Sequence, residues 1–521
     1  MAIQIEDNTT KTKRIAKNTI VLYFRMIFMM LVMLYTSRVI LDTLGVEDYG
    51  IYNVVGGFVS MFGLISTALS SACSRFINFE MGKGNPDRLN VVFSTSVTIQ
   101  AILALVVFVF AEIIGVWYVN NIMVLPDERL LAANWCFQFS AITFCMNLVT
   151  VPFNASIIAH EKMTAFAYIS IGQGIATLAV TFLVSYNPFD RLIYYALLLL
   201  IVQLSAQFAY RLYCRLNFEE CRYKRVFDKT LMKRMLSYSV WHLIGNGATV
   251  LKNEGADVLL NLFFGPVVNS ARGLAMQVNS AMYQFASNFM TAMNPQITQS
   301  YAKGDLDYMF NLIKRGARFS FYLLLIVSLP VLFNTHFLLG LWLKEIPDNT
   351  EIFVRLAIVS TLIASLSAPL VTAQNATGNV RNYQLVVGCV LLLNLPMSYV
   401  GLKIGLPAES VFVVAIIVEI LCLIARVIMV PLTIKEFNPL VFIKQVVFNC
   451  ILVCSLSLPL PLLFHELFHY ENFISFIISS IISVSSVLVI VYFVGCNHEE
   501  RTMIKHKMDV VYNNFSLFLK K

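Results

Sequence analysis

The sequence predicts an all-α integral membrane protein with about fourteen transmembrane helices. Three observations carry that reading. Of the 521 residues, 58% are hydrophobic and only 13% are charged, against about 25% charged in a soluble domain. Apolar runs of about 20 residues, the length that crosses a hydrocarbon core, recur along the whole chain. Basic residues collect on alternate connections between those runs, as the positive-inside rule requires of cytoplasmic loops.

In order, the runs fall near 16–41, 49–79, 91–119, 130–158, 166–184, 192–212 and 235–260, then 267–299, 310–333, 352–372, 384–400, 411–430, 446–463 and 473–494. Lys11, Lys13, Arg14 and Lys17 precede the first run, whereas the next connection holds only Asp42, Glu47 and Asp48. Lys83 and Arg88 follow, then Asp127, Glu128 and Arg129, then Lys162, then Asp190 and Arg191. The sixth connection is the most basic, with Arg215, Arg222, Lys224, Arg225, Lys229, Lys233 and Arg234. The eighth carries Lys303, Lys314, Arg315 and Arg318, and the tail carries Arg501, Lys505, Lys507, Lys520 and Lys521. This alternation places both termini in the cytoplasm and agrees with an even number of spans.

The polar opening, Met1 to Lys17, lacks an apolar stretch ending in a small-residue cleavage site. The first run therefore reads as an uncleaved anchor. No connection is long enough to hold a folded domain, which places the function inside the bilayer. The net charge of +8 is spread over short loops, so it forms no face for nucleic acid. The ten cysteines are scattered without a CxxC pair and read as structural.

An internal repeat is visible. Gly45, Lys83, Gly84 and Asn85 correspond to Gly265, Lys303, Gly304 and Asp305 at one offset of 220 residues. With six spans per copy, both copies share one orientation, the parallel type of transporter repeat. The expected organisation is a six-helix lobe at 1–228, a second at 229–437, and a two-helix segment with a cytoplasmic tail at 438–521.

The polarity concentrates between His242 and Asp307. His242, Asn246, Thr249, Asn253, Asp257 and Asn261 follow i+3 and i+4 steps and share one helical face. After the Gly265-Pro266 break, Asn269, Arg272, Asn279, Tyr283, Ser287 and Asn294 make a second such face. Such side chains cannot satisfy themselves in lipid and must face protein or enclosed water, so the stripes predict a wet cavity. Lys252, Glu254 and Asp257 either line it or neutralise one another. Arg25 lies eight residues beyond Lys17, about 12 Å deep at 1.5 Å per residue. An arginine at the bilayer centre costs about 2.5–3.5 kcal/mol on insertion scales, so Arg25 and Arg272 line a cavity, pair with an acid, or snorkel to an interface.

Two further patterns have different readings. Asn53, Gly56, Ser60, Gly63, Thr67, Ser70 and Ser74 form a small-residue stripe suited to close helix packing. His465-Glu466-Leu467-Phe468-His469 spells H-E-x-x-H, which on a helix can hold zinc beside a general base. It follows Pro459 and Pro461 in a short outward connection, with no third ligand on the same side, so interfacial polarity is the preferred reading. No G-x-x-x-x-G-K-[ST] loop is present, which argues against ATP hydrolysis by this chain.

The run Gly265-Pro-Val-Val-Asn-Ser-Ala-Arg272-Gly-Leu-Ala-Met-Gln277-Val-Asn279, with Asn294-Pro295-Gln296-Ile297-Thr298 and Tyr301-Ala-Lys-Gly-Asp305, resembles bacterial O-antigen and capsule oligosaccharide flippases of the Wzx type. So do Ala373-Gln374-Asn-Ala-Thr377-Gly378 and the opening Asn18, Leu44-Gly45 and Asp48-Tyr49-Gly50-Ile51-Tyr52. The resemblance covers nearly the entire chain. It implies the superfamily that also holds MATE-type multidrug exporters and lipid II flippases, with two six-helix lobes in a V around a central cavity. The implied substrate is an undecaprenyl-pyrophosphate-linked oligosaccharide, moved across the bacterial inner membrane for surface polysaccharide synthesis. In lipid II flippases, arginines in spans one and eight line the cavity, and Arg25 and Arg272 occupy those spans here.

The reading is thus a flippase, not an enzyme, working by alternating access and needing no cofactor. Its expected substrate-binding residues are Arg25, Arg272, Lys252, His242, Asn246, Asn253, Asp257 and Asn279, with the cations on the pyrophosphate and the amides on the sugars. Its expected partners are the lipid-linked oligosaccharide, the bilayer, a coupling H⁺ or Na⁺, and polysaccharide assembly machinery. One alternative is a cation-coupled drug exporter using Asp257 and Glu254. A second is a membrane metalloprotease using His465, Glu466 and His469.

Overall fold

The structure is a computed structural model and describes residues 2–60, 62–121, 127–185, 190–226, 228–264, 266–343, 346–467, 472–502 and 505. Among the described residues there are helices and connections but no strand. The main helices are α1 (Ala2–Ser60), α2 (Gly63–Lys83), α3 (Pro86–Asn121), α4 (Leu130–Ala159), α5 (Met163–Ser185), α6 (Arg191–Asn217) and α7 (Lys229–Phe264). They continue as α8 (Pro266–Lys303), α9 (Leu306–Phe333), α10 (Thr350–Thr377), α11 (Arg381–Lys403), α12 (Ser410–Leu432), α13 (Pro439–Glu466) and α14 (Phe473–Gly495). Ten of these, α3–α6 and α9–α14, are long and apolar enough to cross a membrane among the described residues, and each coincides with an expected span. The other expected spans fall in α1, α2, α7 and α8, which are helical as well. The all-α, membrane-spanning class holds.

Turn chemistry explains where several helices begin and end. Gly84 ends α2 with φ 69°, a left-handed value that glycine adopts without a Cβ clash. Asn85 then caps α3 by accepting from the Arg88 backbone N–H at 3.1 Å. The Lys303-Gly304-Asp305 turn repeats this. Gly304 has φ 76°, and Asp305 accepts from the Tyr308 N–H at 3.2 Å. Gly84 N–H reaches Met81 O and Gly304 N–H reaches Tyr301 O, both at 3.1 Å. Every partner in one turn is 220 positions from its counterpart in the other. Within α1, Gly45 at φ 82° and ψ 168° interrupts the helix. Asp190 caps α6, taking the N–H groups of Leu192 and Ile193 at 3.0 and 3.2 Å.

The chain divides into two compact units. Unit 1 is Met1–Ala248, Thr291–Met309 and Thr372–Gly388. Its core packs Phe93 edge-on to Phe153 with ring centroids 5.1 Å apart, among buried Ile77, Cys214 and Tyr238. Gly82 lets α2 meet the end of α8, because a Cβ there would sit 2.7 Å from Gln299 O. Beside it Gln299 Nε2 donates to Ala159 O at 2.9 Å, and Asn18 Nδ2 donates to Glu161 O at 3.1 Å. The basic connection after α6 is pinned to α3. Asn90 Nδ2 donates to the carbonyls of Glu220 and Arg222, each at 2.8 Å. Glu220 also pairs with His160.

Unit 2 is Thr249–Met290, Phe310–Val371 and Cys389–Lys521. Phe353 and Phe412 stack at 4.6 Å in its interior. Arg318 ties α9 to the end of α14, donating to Gly495 O at 2.8 Å and to Glu500 Oε1 at 2.7 Å. All ten cysteines are free, which agrees with their structural reading.

Candidate functional site

Each unit holds a partly open cavity with polar side chains in its wall. The larger, about 380 Å³, lies in unit 2 between α7, α8, α10, α11 and α12. Thr249, Lys252 and Asn253 enter it from α7, and Arg272, Met276, Asn279 and Tyr283 from α8. Ser360, Thr361 and Ser367 come from α10, Asn394 from α11, and Glu419 and Arg426 from α12.

Its charges are mostly matched. Lys252 Nζ donates to Glu419 Oε1 at 2.6 Å, with the two side chains only 11% and 12% exposed. Arg272, 6% exposed, forms an ion pair with Asp257 and donates to Asn253 O at 3.0 Å. The Asp257 carboxylate thus sits behind the cavity wall and holds the guanidinium in place. Thr361 Oγ1 donates to Asn279 Oδ1 at 2.7 Å. Asn394 is 1% exposed, and its amide nitrogen has no partner among the described residues. With Lys252, Arg272 and Arg426 against Glu419, the wall carries more positive than negative charge.

The expected site residues therefore separate into groups. Lys252, Asn253, Arg272 and Asn279 come together in the unit 2 cavity, and Asp257 supports it. His242 and Asn246 belong to unit 1. There His242 Nδ1 lies 3.5 Å from Gln384 Nε2 and its ring lies 4.5 Å from that of Tyr238. Asn246 Nδ2 donates to Thr67 Oγ1 at 3.4 Å. Arg25 is also in unit 1. Its guanidinium stacks on Phe166 at 4.6 Å, and its Nε has no hydrogen-bond partner among the described residues. Glu254 is exposed and joins neither ion pair. His465 and Glu466 are exposed at the end of α13, while Gly265 and His469 lie outside the described residues, as do the side chains of Asn261 and Asn269. Among the described residues no group of His, Cys, Asp and Glu could hold a metal ion.

Glu419 and Arg426 were not foreseen. They stand seven positions apart within the apolar run 411–430, close to two helical turns, which puts both on one face. That spacing was the available signal.

The smaller cavity, about 250 Å³, lies in unit 1 between α1, α4 and α6. Tyr52, Gly56, Val59, Ser140, Thr143, Phe144, Asn147, Leu199 and Gln203 line it, with no charged residue among the lining side chains. Its wall maps onto the unit 2 wall at the offset of 220 found in the turns. Tyr52, Gly56 and Val59 correspond to Arg272, Met276 and Asn279. Ser140, Phe144 and Asn147 correspond to Ser360, Ala364 and Ser367, and Leu199 corresponds to Glu419. The two walls thus share one sequence offset, with charges at the second set of positions only.

Comparison with known proteins agrees with this architecture. The model of the polysaccharide biosynthesis protein family matches residues 12–302, and the MatE family model matches residues 256–400. The uncharacterized membrane protein EpsK of Bacillus subtilis is 21% identical over 288 residues, 55% of this chain and 56% of that protein. The match thus spans little more than half the length of that curated relative. A multidrug resistance MATE transporter of the MOP superfamily in an outward-facing conformation superposes with a TM-score of 0.71 at 11% identity, covering 82% of this chain and 97% of that one. A MOP-superfamily transporter from Pyrococcus furiosus gives 0.68 at 11% identity, covering 82% and 96%. At such identities the structural likeness speaks for the fold, and the family match carries membership. The chain belongs to the polysaccharide biosynthesis protein family, and it is a multi-pass membrane protein with the fold of the MATE transporters.

Proposed function

We propose that the protein flips undecaprenyl-pyrophosphate-linked oligosaccharide from the cytoplasmic to the periplasmic leaflet of the bacterial inner membrane by alternating access. Both termini lie in the cytoplasm in this reading, and lobes at 1–228 and 229–437 rock to expose the site on each side. The observation that supports it best is the cation-rich cavity of unit 2, set among helices in a member of a polysaccharide family.

Lys252 and Arg272 are the proposed pyrophosphate ligands, since guanidinium and ammonium groups suit phosphate oxygens. Both are paired with carboxylates, so a phosphate group competes with Glu419 and Asp257 for them. A carboxylate released in this exchange is a natural place for the coupling H⁺ or Na⁺. Asn253, Asn279 and Asn394 supply hydrogen bonds to the glycan. Arg25, His242 and Asn246 are proposed as further substrate contacts. The polyprenyl tail remains in lipid, and polysaccharide assembly machinery receives the product.

The drug-exporter reading is weaker, because Asp257 already holds Arg272 and Glu254 is exposed away from the cavity wall. The test is Arg272→Ala, with Arg25→Ala in parallel. Lipid-linked oligosaccharide should accumulate on the cytoplasmic leaflet while surface polysaccharide falls. Normal surface polysaccharide in both variants at normal protein level would remove the assignment.

A further inference from the structure

We infer that the neutral cavity of unit 1 is a binding subsite for one uncharged sugar ring of the transported glycan. The inference rests on the polysaccharide-type cargo proposed above. It concerns residues that the pyrophosphate assignment does not use.

The amide arrangement points to a ligand. Gln207 Nε2 donates to Asn147 Oδ1 at 2.8 Å, and Gln173 Nε2 donates to Gln203 Oε1 at 3.1 Å. Both lining amides therefore have their carbonyl oxygens held by amides behind them. Their own NH₂ groups donate to nothing among the described residues, and both residues line the cavity. Polar side chains inside a membrane protein commonly serve as hydrogen bonds between helices. The Gln207 and Gln173 bonds already do that, and it leaves the outer donors unexplained. Asn147 is exposed and Gln203 half-buried, so both donors are open to an acceptor that enters the cavity.

Sugar hydroxyls are such acceptors, and Ser140 and Thr143 add hydroxyls of their own to the wall. Phe139, Phe144 and Tyr52 supply aromatic surface for the C–H face of a pyranose. The volume suits a single ring, not a chain. No cation lines the cavity, so a carboxylated sugar would enter without a counter-charge. The duplicated scaffold gives the contrast. At the same positions where unit 2 carries Arg272 and Glu419, unit 1 carries Tyr52 and Leu199, which fits a charged group in one copy and a neutral ring in the other.

The experiment is saturation-transfer NMR on the purified full-length protein in detergent, with glucose, N-acetylglucosamine and glucuronate as probes. Transfer to at least one neutral sugar is expected, with weaker transfer to glucuronate. Asn147→Leu with Gln203→Leu should weaken neutral-sugar binding about tenfold, the loss of two net hydrogen bonds. If the double variant fails to fold, Asn147→Ser, which installs the residue of the equivalent position, should fold and give a smaller loss. No transfer to any neutral sugar overturns the inference, as does transfer undiminished by the Asn147 changes. Failure of the flippase reading is seen separately. Loss of the gene without accumulation of lipid-linked oligosaccharide would remove that cargo and leave the sugar subsite standing.

Discussion

The buried Lys252–Glu419 pair makes the sharpest quantitative prediction. At 2.6 Å and an effective dielectric of about 20, the gross attraction is about 6 kcal/mol. Removing two charges from water costs several kcal/mol each, so the intact pair contributes little net stability. Removing one partner is different, because the other charge stays buried without compensation, at about 3–5 kcal/mol. The cavity admits water, which favours the lower end. Glu419→Gln and Lys252→Met should therefore each destabilise the protein by about 3 kcal/mol. The double variant, which buries no lone charge, should cost about 1 kcal/mol. Unfolding free energies measured in bicelles by steric trapping provide the cycle. Costs of the single changes that add to the double within about 0.5 kcal/mol, as for independent sites, would refute the pairing.

Three further outcomes follow from unit 1. Gly82→Ala places a Cβ 2.7 Å from Gln299 O and 2.8 Å from its Cα; backbone must move, at about 1–3 kcal/mol, read as a lower unfolding temperature in detergent. Asn90→Ala strips the donor from the carbonyls of Glu220 and Arg222, costs about 1–3 kcal/mol, and should speed tryptic cleavage after Arg222, Lys224 or Arg225. Burial pushes the Glu220 carboxyl up, but the hydrogen bond from His160, a backbone hydrogen bond and the His160 charge together outweigh this and leave it below the usual 4.5. A depressed carboxylate stabilises above its unfolded value and loses that contribution as pH falls through the folded one. Hydrogen-exchange protection of 218–226 should therefore drop below pH 4.5 in the native protein, and Glu220→Gln should abolish that dependence.

Much of the fold was legible because lipid imposes strict terms on composition. Runs long enough to cross a bilayer stand out, and the helices α3–α6 and α9–α14 lie where those runs predict. The Lys-Gly-Asn/Asp turns were legible too, since a left-handed glycine followed by a capping acid or amide leaves a local signature. The site was read in part. A helical wheel reports which face a residue occupies and says nothing of depth. His242 and Lys252 are ten residues apart on α7, about 15 Å along the axis, and they end in different units. The partner of Lys252 was beyond reach for another reason. Glu419 is 167 residues away, and no local pattern joins the two. The unit 1 cavity was missed because Gly56 in the small-residue stripe suggested packing alone, while Asn147 and Gln203 are neutral residues in apolar runs.

The asymmetry between the cavities carries one more consequence. At the offset of 220, Lys252, Arg272, Glu419 and Arg426 correspond to Val32, Tyr52, Leu199 and Ala206. Every charge on the second wall stands where the first copy has an uncharged residue. Buried charges are tolerated only with their partners, so such a wall has to carry its charges as pairs. Leu199→Glu alone should destabilise unit 1 by about 2–3 kcal/mol, even after the carboxyl escapes part of the penalty by taking up a proton. Adding Val32→Lys should restore most of that loss if the two copies share one geometry, since 32 and 199 are the counterparts of the paired 252 and 419. Adding Tyr52→Arg instead should not restore it, because its counterpart Arg272 pairs with Asp257 and not with Glu419. Rescue by Val32→Lys alone, measured as unfolding temperature in detergent, would show that one scaffold underlies both cavities. Equal rescue by both, or by neither, would mean that the common offset does not extend to side-chain geometry.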